Sequence, residues 1–233
     1  MKKLWFVLLV AGVLTGCSKD DDAENGSGNG SNGGSGGNLP ALPALPDPTD
    51  VCSAMDDLDF MAYCYDKYDV NKDGKVSTVE AAAVREMGMA YDGGIVRSIK
   101  GIEYFPNLER WIGDIHSDAD LDYGAVFQYN KKLKKISLCC GSGNSLSVLD
   151  LSRFQELEEV DLYNRFGIVL LPQTIQSVDM GSSIQIEKLK CYAVTPPNMS
   201  SYHGVISTVY VPKESVSVYK ATSPWNEFDI QPL

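Results

Sequence analysis

The sequence has few of the residues from which catalytic and nucleic-acid-binding sites are built. It contains two histidines, and its 20 lysines and arginines are outnumbered by 31 aspartates and glutamates, for a net charge of −11. Nucleic acid is excluded as the expected partner, because neutralising phosphates requires a basic surface. His116 and His203 lie far apart, and the sequence has neither a phosphate loop nor a Cys-x-x-Cys pair. We predict that the protein is not an enzyme.

The sequence also lacks an apolar run long enough to span a bilayer and the cysteine density of a disulfide scaffold. Its N-terminal apolar run, residues 4–14, is shorter than the about 20 residues that a spanning helix needs. Because Lys2 and Lys3 precede this run, residues 1–16 are typical of a cleaved signal peptide. The six cysteines support no assignment of disulfide pairs from sequence alone.

The signal peptide ends in Leu14-Thr15-Gly16-Cys17, which resembles the lipobox of bacterial lipoproteins. The resemblance implies cleavage before Cys17 and acylation of its sulfur and amine. Several acyl chains anchor firmly because each buried CH₂ contributes about 0.8 kcal/mol. The acidic segment at residues 18–22 resembles the export signal of Bacteroidetes surface lipoproteins. We therefore expect an outer membrane lipoprotein held at the cell surface by the lipid on Cys17. The alternative is an ordinary signal peptide followed by a chance cysteine.

Low-complexity sequence connects this anchor to the folded part. Residues 23–38 are almost entirely Gly, Ser and Asn, which cannot bury enough apolar surface to offset the chain entropy. Residues 39–48 carry four prolines and should be more extended. We predict a lipidated flexible tether over residues 17–49 and a folded protein that begins near Asp50.

Residues 69–80 match the twelve-residue EF-hand pattern at every diagnostic position. Calcium takes six to eight oxygen ligands, and a tightly wound loop presents alternate side chains to it. Gly74 permits the sharp turn of such a loop. The predicted ligands are Asp69, Asn71, Asp73, the carbonyl of Lys75, Ser77 directly or through water, and Glu80 at both carboxylate oxygens. The pattern predicts Ca²⁺ as a cofactor, unless the match is accidental or the hand is degenerate.

The flanks of this loop predict an EF-hand-like helix–loop–helix over residues 50–94. A first helix is indicated by apolar residues at spacings of three and four, namely Leu58, Met61, Tyr65 and Tyr68. Ser77 or Thr78 can cap a second helix that runs through an alanine run to Met87. EF-hands usually pair, so we expect this lone hand to bind weakly, near ~10⁻⁴ to 10⁻³ M, and to rigidify the protein rather than signal.

Residues 95–211 carry a six-residue pattern with apolar residues at positions one, four and six. Copies begin at Leu108, Leu133, Leu157, Ile175, Ile186 and Ile206. The pattern resembles a leucine-rich repeat, in which positions four and six point inward and their neighbours face solvent. Repeats stack with a parallel sheet along one side, because one unit cannot bury its apolar face alone. An unrelated all-β sandwich is the alternative. The solvent-facing positions two, three and five of each copy would present the contact surface, and Lys134, Lys135, Glu158, Glu159 and Asp161 show that this face is charged and mixed in sign.

Two segments make the resemblance to leucine-rich repeat proteins more specific. Residues 99–108 look like the first repeat of Bacteroidetes leucine-rich surface lipoproteins, where it commonly follows an EF-hand-like segment. Residues 195–230 are similar to the C-terminal end of BspA-like leucine-rich proteins. The last repeat needs a cap, since it would otherwise expose its apolar face and a strand edge. We predict this cap over residues 212–233. Its expected core residues are Tyr219, Trp225 and Phe228, for which an aromatic sugar-binding platform is the less favoured interpretation.

Together these features predict an α+β fold in which a short N-terminal helix–loop–helix precedes an irregular leucine-rich repeat solenoid with a C-terminal cap. The expected function is a calcium-stabilised, surface-anchored binding or adhesion module for a protein or host-matrix ligand. The alternative is an accessory glycan-binding lipoprotein of a polysaccharide-uptake system, which would require an exposed aromatic platform.

Overall fold

The computed structural model describes residues 42–89, 96–113, 122–139 and 145–233, apart from the side chain of Ser182. Residues 42–233 form one compact unit. The predicted signal peptide, the lipid attachment at Cys17 and the tether up to residue 41 lie outside the described residues, and so does His116.

Nine strands form one sheet in which every described pairing is parallel. The strands are β1 (Glu86–Gly88), β2 (Arg110–Gly113), β3 (Lys135–Cys139), β4 (Ser145–Asp150), β5 (Glu159–Tyr163), β6 (Arg165–Leu171), β7 (Ser177–Cys191), β8 (Asn198–Val211) and β9 (Ile230–Pro232). Their order is β1-β2-β3-β5-β7-β6-β4, and β8 pairs with both β7 and β9.

The helices are few and short. The α-helices are α1 (Leu58–Tyr68), α2 (Thr78–Ala83), α3 (Tyr123–Val126) and α4 (Val216–Ala221). Single 3₁₀ turns cover Val51–Ala54, Ile102–Tyr104, Lys213–Ser215 and Trp225–Glu227. No helix in the described ranges is both long and apolar enough to cross a membrane.

The prediction of an α+β fold with a separate N-terminal helix–loop–helix and a leucine-rich repeat solenoid is wrong. The described chain is mostly a nine-stranded parallel sheet. The decisive difference lies after the calcium-type loop, where α2 ends at Ala83 and β1 pairs with β2 instead of continuing the helix to Met87. Met87 is fully buried and pairs in register with Trp111. Packing of this side chain outweighs the helix propensity of the alanine run, which is small per residue.

The sheet also differs from the predicted one. A leucine-rich repeat would have a single parallel sheet along one side, whereas the strands here form two stacks. The first four residues of β7 pair with β5, whereas its residues from Gln185 onward pair with β6. We call the strands β1, β2, β3 and β5 with the starts of β7 and β8 the first stack. The second stack contains β4, β6, the ends of β7 and β8, and β9.

The second stack repeats every 20 residues. Leu146 pairs with Phe166, Phe166 with Ile186, and Ile186 with Ile206. Positions one, four and six of these four copies are buried, and they are Leu146, Leu149, Leu151, Phe166, Val169, Leu171, Ile186, Leu189, Cys191, Ile206, Val209 and Val211. The uneven spacing of the copies along the sequence has a simple cause. The copy that begins at Ile175 enters the first stack and the copy that begins at Ile186 enters the second, although β7 runs through both.

Both stacks bury their apolar positions in one continuous core. In the first stack the buried positions four and six include Ile136, Leu138, Val160, Leu162, Val178 and Met180. Each such side chain contributes about 1.5–3 kcal/mol by leaving water. The two strand stacks therefore present their remaining side chains outward, where these side chains form the exposed surface of the sheet.

Candidate interaction surface and calcium-type loop

The loop between α1 and α2 is closed by its own carboxylates. The carboxylate of Asp69 accepts hydrogen bonds from the amides of Asp73 (3.2 Å) and Gly74 (2.9 Å). Gly74 has a φ of +82°, the left-handed region that glycine enters without strain. The carboxylate of Glu80 reaches back across the loop and accepts from the amides of Val70 (2.9 Å) and Asn71 (3.3 Å). Residues 69–80 thus form the compact turn that the pattern predicts.

Glu80 also holds the start of α2. Ser77 is the N-cap, and its hydroxyl accepts from the Glu80 amide while its own amide and hydroxyl donate to the Glu80 carboxylate at 2.9 and 2.8 Å. These two bonds from Ser77 lower the pKa of Glu80 from its ordinary value, and the amides of Asn71 and Val70 act in the same direction against the effect of burial. The carboxylate is therefore kept in the ionised form that a metal ligand requires.

The donor set of the loop fits a hard cation in type. Carboxylate, amide, hydroxyl and carbonyl oxygens are the ligands that Ca²⁺ takes, and all of them lie within residues 69–80. In the described part of the chain, however, no three His, Cys, Asp or Glu side chains converge as a metal-binding group. Asp69 and Glu80 direct their oxygens at backbone amides, so an ion would need oxygens from Asn71, Lys75 and Ser77 as well.

The loop is braced from the chain that precedes α1. One carboxylate oxygen of Asp50 accepts from the amides of Cys52 (3.1 Å) and Val76 (3.0 Å), and the other accepts from the Tyr65 hydroxyl (2.6 Å). This bond to Asp50 is the main reason that the pKa of Tyr65 is raised. Val51 donates to the carbonyl of Val76 at 2.8 Å. The segment before α1 therefore holds both α1, through Tyr65, and the loop, through Val76, in place.

The predicted charged face lies on the outer side of the first stack, where its charges pair among themselves. Lys135 contacts Asp161 at 2.9 Å and Glu159 at 3.2 Å, and Lys134 lies 3.9 Å from Glu109. Burial alone would lower the pKa of Lys135, but the two acids raise it. Lys135 and Asp161 are half-buried, whereas Glu159 and Lys134 are exposed, and exposed pairs contribute only about 0–1 kcal/mol. Because the charges compensate locally, this face favours neither an acidic nor a basic partner.

A groove of about 810 Å³ lies on the outer side of the second stack, across β4, β6, β7 and β8. Its polar lining residues include Ser147, Arg165, Gln185, Glu187 and Ser207. Two exposed valines add apolar contact area, Val148 at 45% and Val205 at 59% exposure. The lining contains neither histidine nor cysteine. It can donate and accept hydrogen bonds along an extended chain and bury small apolar groups, which are the requirements of a peptide-like ligand.

The groove forms because the strands do not alternate regularly. Positions one and four both point into the core, so two consecutive residues between them face outward, as Ser147 and Val148 do. In the next strand Gly167 occupies the first of these two positions, paired beside Ser147. A Cβ on Gly167 would lie 2.5 Å from the Ser147 carbonyl oxygen. The absence of a side chain there lets β4 and β6 approach each other closely.

Sequence reasoning missed this groove. It assigned the contact surface to the solvent-facing positions of each recognised copy, which include Glu187 and Ser207 of the groove, but it did not recognise the copies that begin at Leu146 and Phe166. The available signal was the constant spacing of Leu146, Phe166, Ile186 and Ile206, which are each 20 residues apart. The residue pair that follows each of these positions supplies much of the groove lining.

Comparisons with known proteins add one partial match. No family model matches the chain. A segment of 79 residues, 34% of this chain, is 35% identical to disease resistance protein RPP5 of Arabidopsis thaliana, and the match spans 5% of the length of that protein. The match is a similarity over part of the chain, and the repetition itself is shown by the strands, which pair at intervals of 20 residues in the second stack.

Proposed function

We propose that this protein is a non-enzymatic, calcium-stabilised lipoprotein of the bacterial cell surface that binds a protein ligand, such as a host-matrix protein, in the groove of the second stack. The groove is the observation that carries the proposal, because it combines rigid strands, rows of hydrogen-bonding groups and two exposed valines. The lipobox-like sequence at Cys17 and the acidic segment after it support the anchor and the location.

A protein ligand is favoured over a glycan by the position of the aromatic side chains. Sugar platforms use exposed aromatic rings, and in the described ranges Tyr192 is the one exposed aromatic side chain, at 37%. Trp111 and Trp225 are fully buried. The predicted cap residues Tyr219 and Trp225 pack against each other with ring centroids 5.1 Å apart, which supports a core role for them.

The groove can be tested with a double substitution, Val148→Glu with Val205→Glu, in the full chain. Binding to immobilised extracellular-matrix proteins is measured for each variant. We expect the affinity for any bound matrix protein to fall by about tenfold or more, because two charges enter the apolar part of the contact surface. The matched control is Val194→Glu with Val218→Glu, which changes two other exposed valines, at 53% and 42%.

We expect this control variant to bind like the unmodified protein. Equal loss of binding in both variants would contradict the groove as the contact surface, and retention of full affinity by the groove variant would do the same. Binding of a polysaccharide panel in place of proteins would favour the glycan alternative.

Calcium binding predicts a change in thermal stability. With a dissociation constant near ~10⁻³ M, about 10 mM Ca²⁺ should raise the melting temperature by about 3–6 °C. Glu80→Gln should remove most of this rise, because the bidentate ligand is lost. Asp66→Asn is the matched control, since this exposed carboxylate is near the loop and pairs with the neighbouring Lys67 at 3.2 Å. An unchanged melting temperature in the unmodified protein would refute calcium stabilisation.

A further inference from the structure

Three cations on the outer side of the second stack have no acidic partner. They are Arg165 at the start of β6, and Lys188 and Lys190 near the end of β7. Arg165 and Lys188 are exposed, and Lys190 is half-buried. Among the residues that the structure describes, none of the three forms an ion pair. They stay unpaired although acids outnumber bases in this chain by 31 to 20.

The strand register explains why the two lysines are unpaired. The neighbouring positions on β6 and β8 carry no acid, and they are Ile168 and Thr208 beside Lys188, and Leu170 and Tyr210 beside Lys190. The first stack shows the opposite arrangement. There Lys135 lies in register with Glu159 and contacts both this carboxylate and that of Asp161. The cations of the second stack are therefore available to a ligand, whereas Lys135 is not.

Two acids share the outer side of the second stack with these cations. Glu187 lines the groove and is exposed. Asp150 lies in register with Leu170, so one strand separates it from Lys190. Its carboxylate accepts from the amide and the hydroxyl of Ser152, at 2.9 and 2.6 Å. The cations are thus concentrated near the end of β7, where no neighbouring strand brings an acid beside them.

The spacing of the two lysines fits an extended peptide. They are two residues apart on one strand, which places their Cα atoms about 6.6 Å apart. An extended peptide that lies along this strand presents alternate side chains at the same repeat. Carboxylates at alternate positions of such a peptide would each meet one lysine. Tyr210, in register with Lys190, can donate a further hydrogen bond from its hydroxyl.

We propose that the ligand segment held in the groove is an extended acidic peptide whose Asp or Glu side chains contact Arg165, Lys188 and Lys190. Arg165 lines the groove itself, so the cationic positions are continuous with it. This inference rests on the proposed function, since it names the chemistry of the segment that the groove binds. Complementary charges accelerate association and select the partner, and salt screens them, so binding should weaken as salt increases.

The test uses two fluorescein-labelled octapeptides, one alternating Asp with Thr and the other alternating Asn with Thr. They have nearly the same shape and differ in charge. Fluorescence anisotropy measures their binding to the full chain. We expect the acidic probe to bind at least about tenfold more tightly than the neutral probe at about 20 mM salt, and to lose most of this preference at about 500 mM. Equal affinity for the two probes at low salt would overturn the proposal.

Charge reversal assigns the binding to the two lysines. The variant Lys188→Glu with Lys190→Glu should lower the affinity for the acidic probe by about tenfold or more. The matched control is Lys131→Glu with Lys220→Glu, which gives the same change in net charge at two exposed lysines elsewhere. We expect the control to bind the acidic probe like the unmodified protein. An equal loss in both variants would reduce the effect to net charge and overturn the proposal.

Binding of matrix proteins separates this inference from the proposed function. Suppose that this binding is lost in the groove variant, Val148→Glu with Val205→Glu, but not in the lysine variant. The groove would then remain the contact surface, and an acidic ligand segment would be ruled out. Lysine-dependent binding of the acidic probe, without binding of any matrix protein, would support the cationic site and overturn the matrix-protein ligand of the proposed function.

Discussion

Replacing Trp225 by alanine should lower the free energy of unfolding by about 3–5 kcal/mol. The indole is fully buried at the C-terminal end of the sheet. Its ring packs edge-on against Tyr219, and its Nε1 donates to the carbonyl of Pro197 at 2.8 Å. Truncation would leave both a cavity and an unpaired buried carbonyl, and each of these defects is destabilising. Chemical denaturation monitored by circular dichroism measures the change.

The control for this substitution is Tyr192→Ala. Tyr192 is an aromatic residue at the end of the same region, just after β7, but it is exposed. We expect its removal to change the free energy of unfolding by less than about 1 kcal/mol. A similar small change for Trp225→Ala would show that the C-terminal segment does not close the core of the sheet.

Asn130→Asp should destabilise the protein by about 3–5 kcal/mol at neutral pH. Asn130 is a fully buried polar residue, and its Nδ2 donates to the carbonyls of Ile102 (3.0 Å) and Phe105 (2.9 Å). An aspartate of the same shape would place an ionised carboxylate against two carbonyl oxygens. If protonated, it could satisfy only one of them.

The loss of stability caused by Asn130→Asp should depend on pH. Burial among carbonyls would raise the pKa of the introduced carboxyl above its unfolded value of about 3.9. A raised folded pKa makes the variant most stable below the unfolded pKa, and the stability falls as pH rises. Unfolding free energies of the variant at pH 4 and pH 7 test this directly. Asn107→Asp is the control, since Asn107 also donates from Nδ2 to a carbonyl, that of Ala82 at 2.8 Å, but is only half-buried and has Lys132 at 2.8 Å from its Oδ1 to pair with a carboxylate. A pH-independent loss at Asn130 would contradict an ionised buried carboxylate.

The sequence predicted which side chains enter the core more accurately than it predicted the fold. In the copy that begins at Leu133, positions one, four and six are buried, because that local pattern suits a strand with one face on a core. The stack to which each copy belongs is a tertiary property. β7 carries copies of both stacks within one 15-residue strand, and nothing in the local pattern at Ile175 or Ile186 separates them.

Around the calcium-type loop as well, the short-range features could be predicted from the sequence and the long-range ones could not. The turn at Gly74 and the cap at Ser77 follow from short-range chemistry, and both are present. The end of α2 at Ala83 could not be predicted from the alanine run, because it depends on Met87 pairing in β1 with a strand 24 residues further along the chain. Local signals therefore located the loop, whereas long-range packing decided that the loop adjoins the sheet.

Site-specific photo-crosslinking from the groove tests directly whether the ligand binds there. A photo-reactive amino acid is placed at Val205 of the full chain, and in a separate protein at Val194, before incubation with a matrix protein that binds the unmodified chain. Both positions are exposed, so neither label should disturb the core. We expect efficient crosslinking to the bound protein from position 205 and little from position 194. Crosslinking from position 194 but not from position 205 would contradict ligand binding in the groove of the second stack.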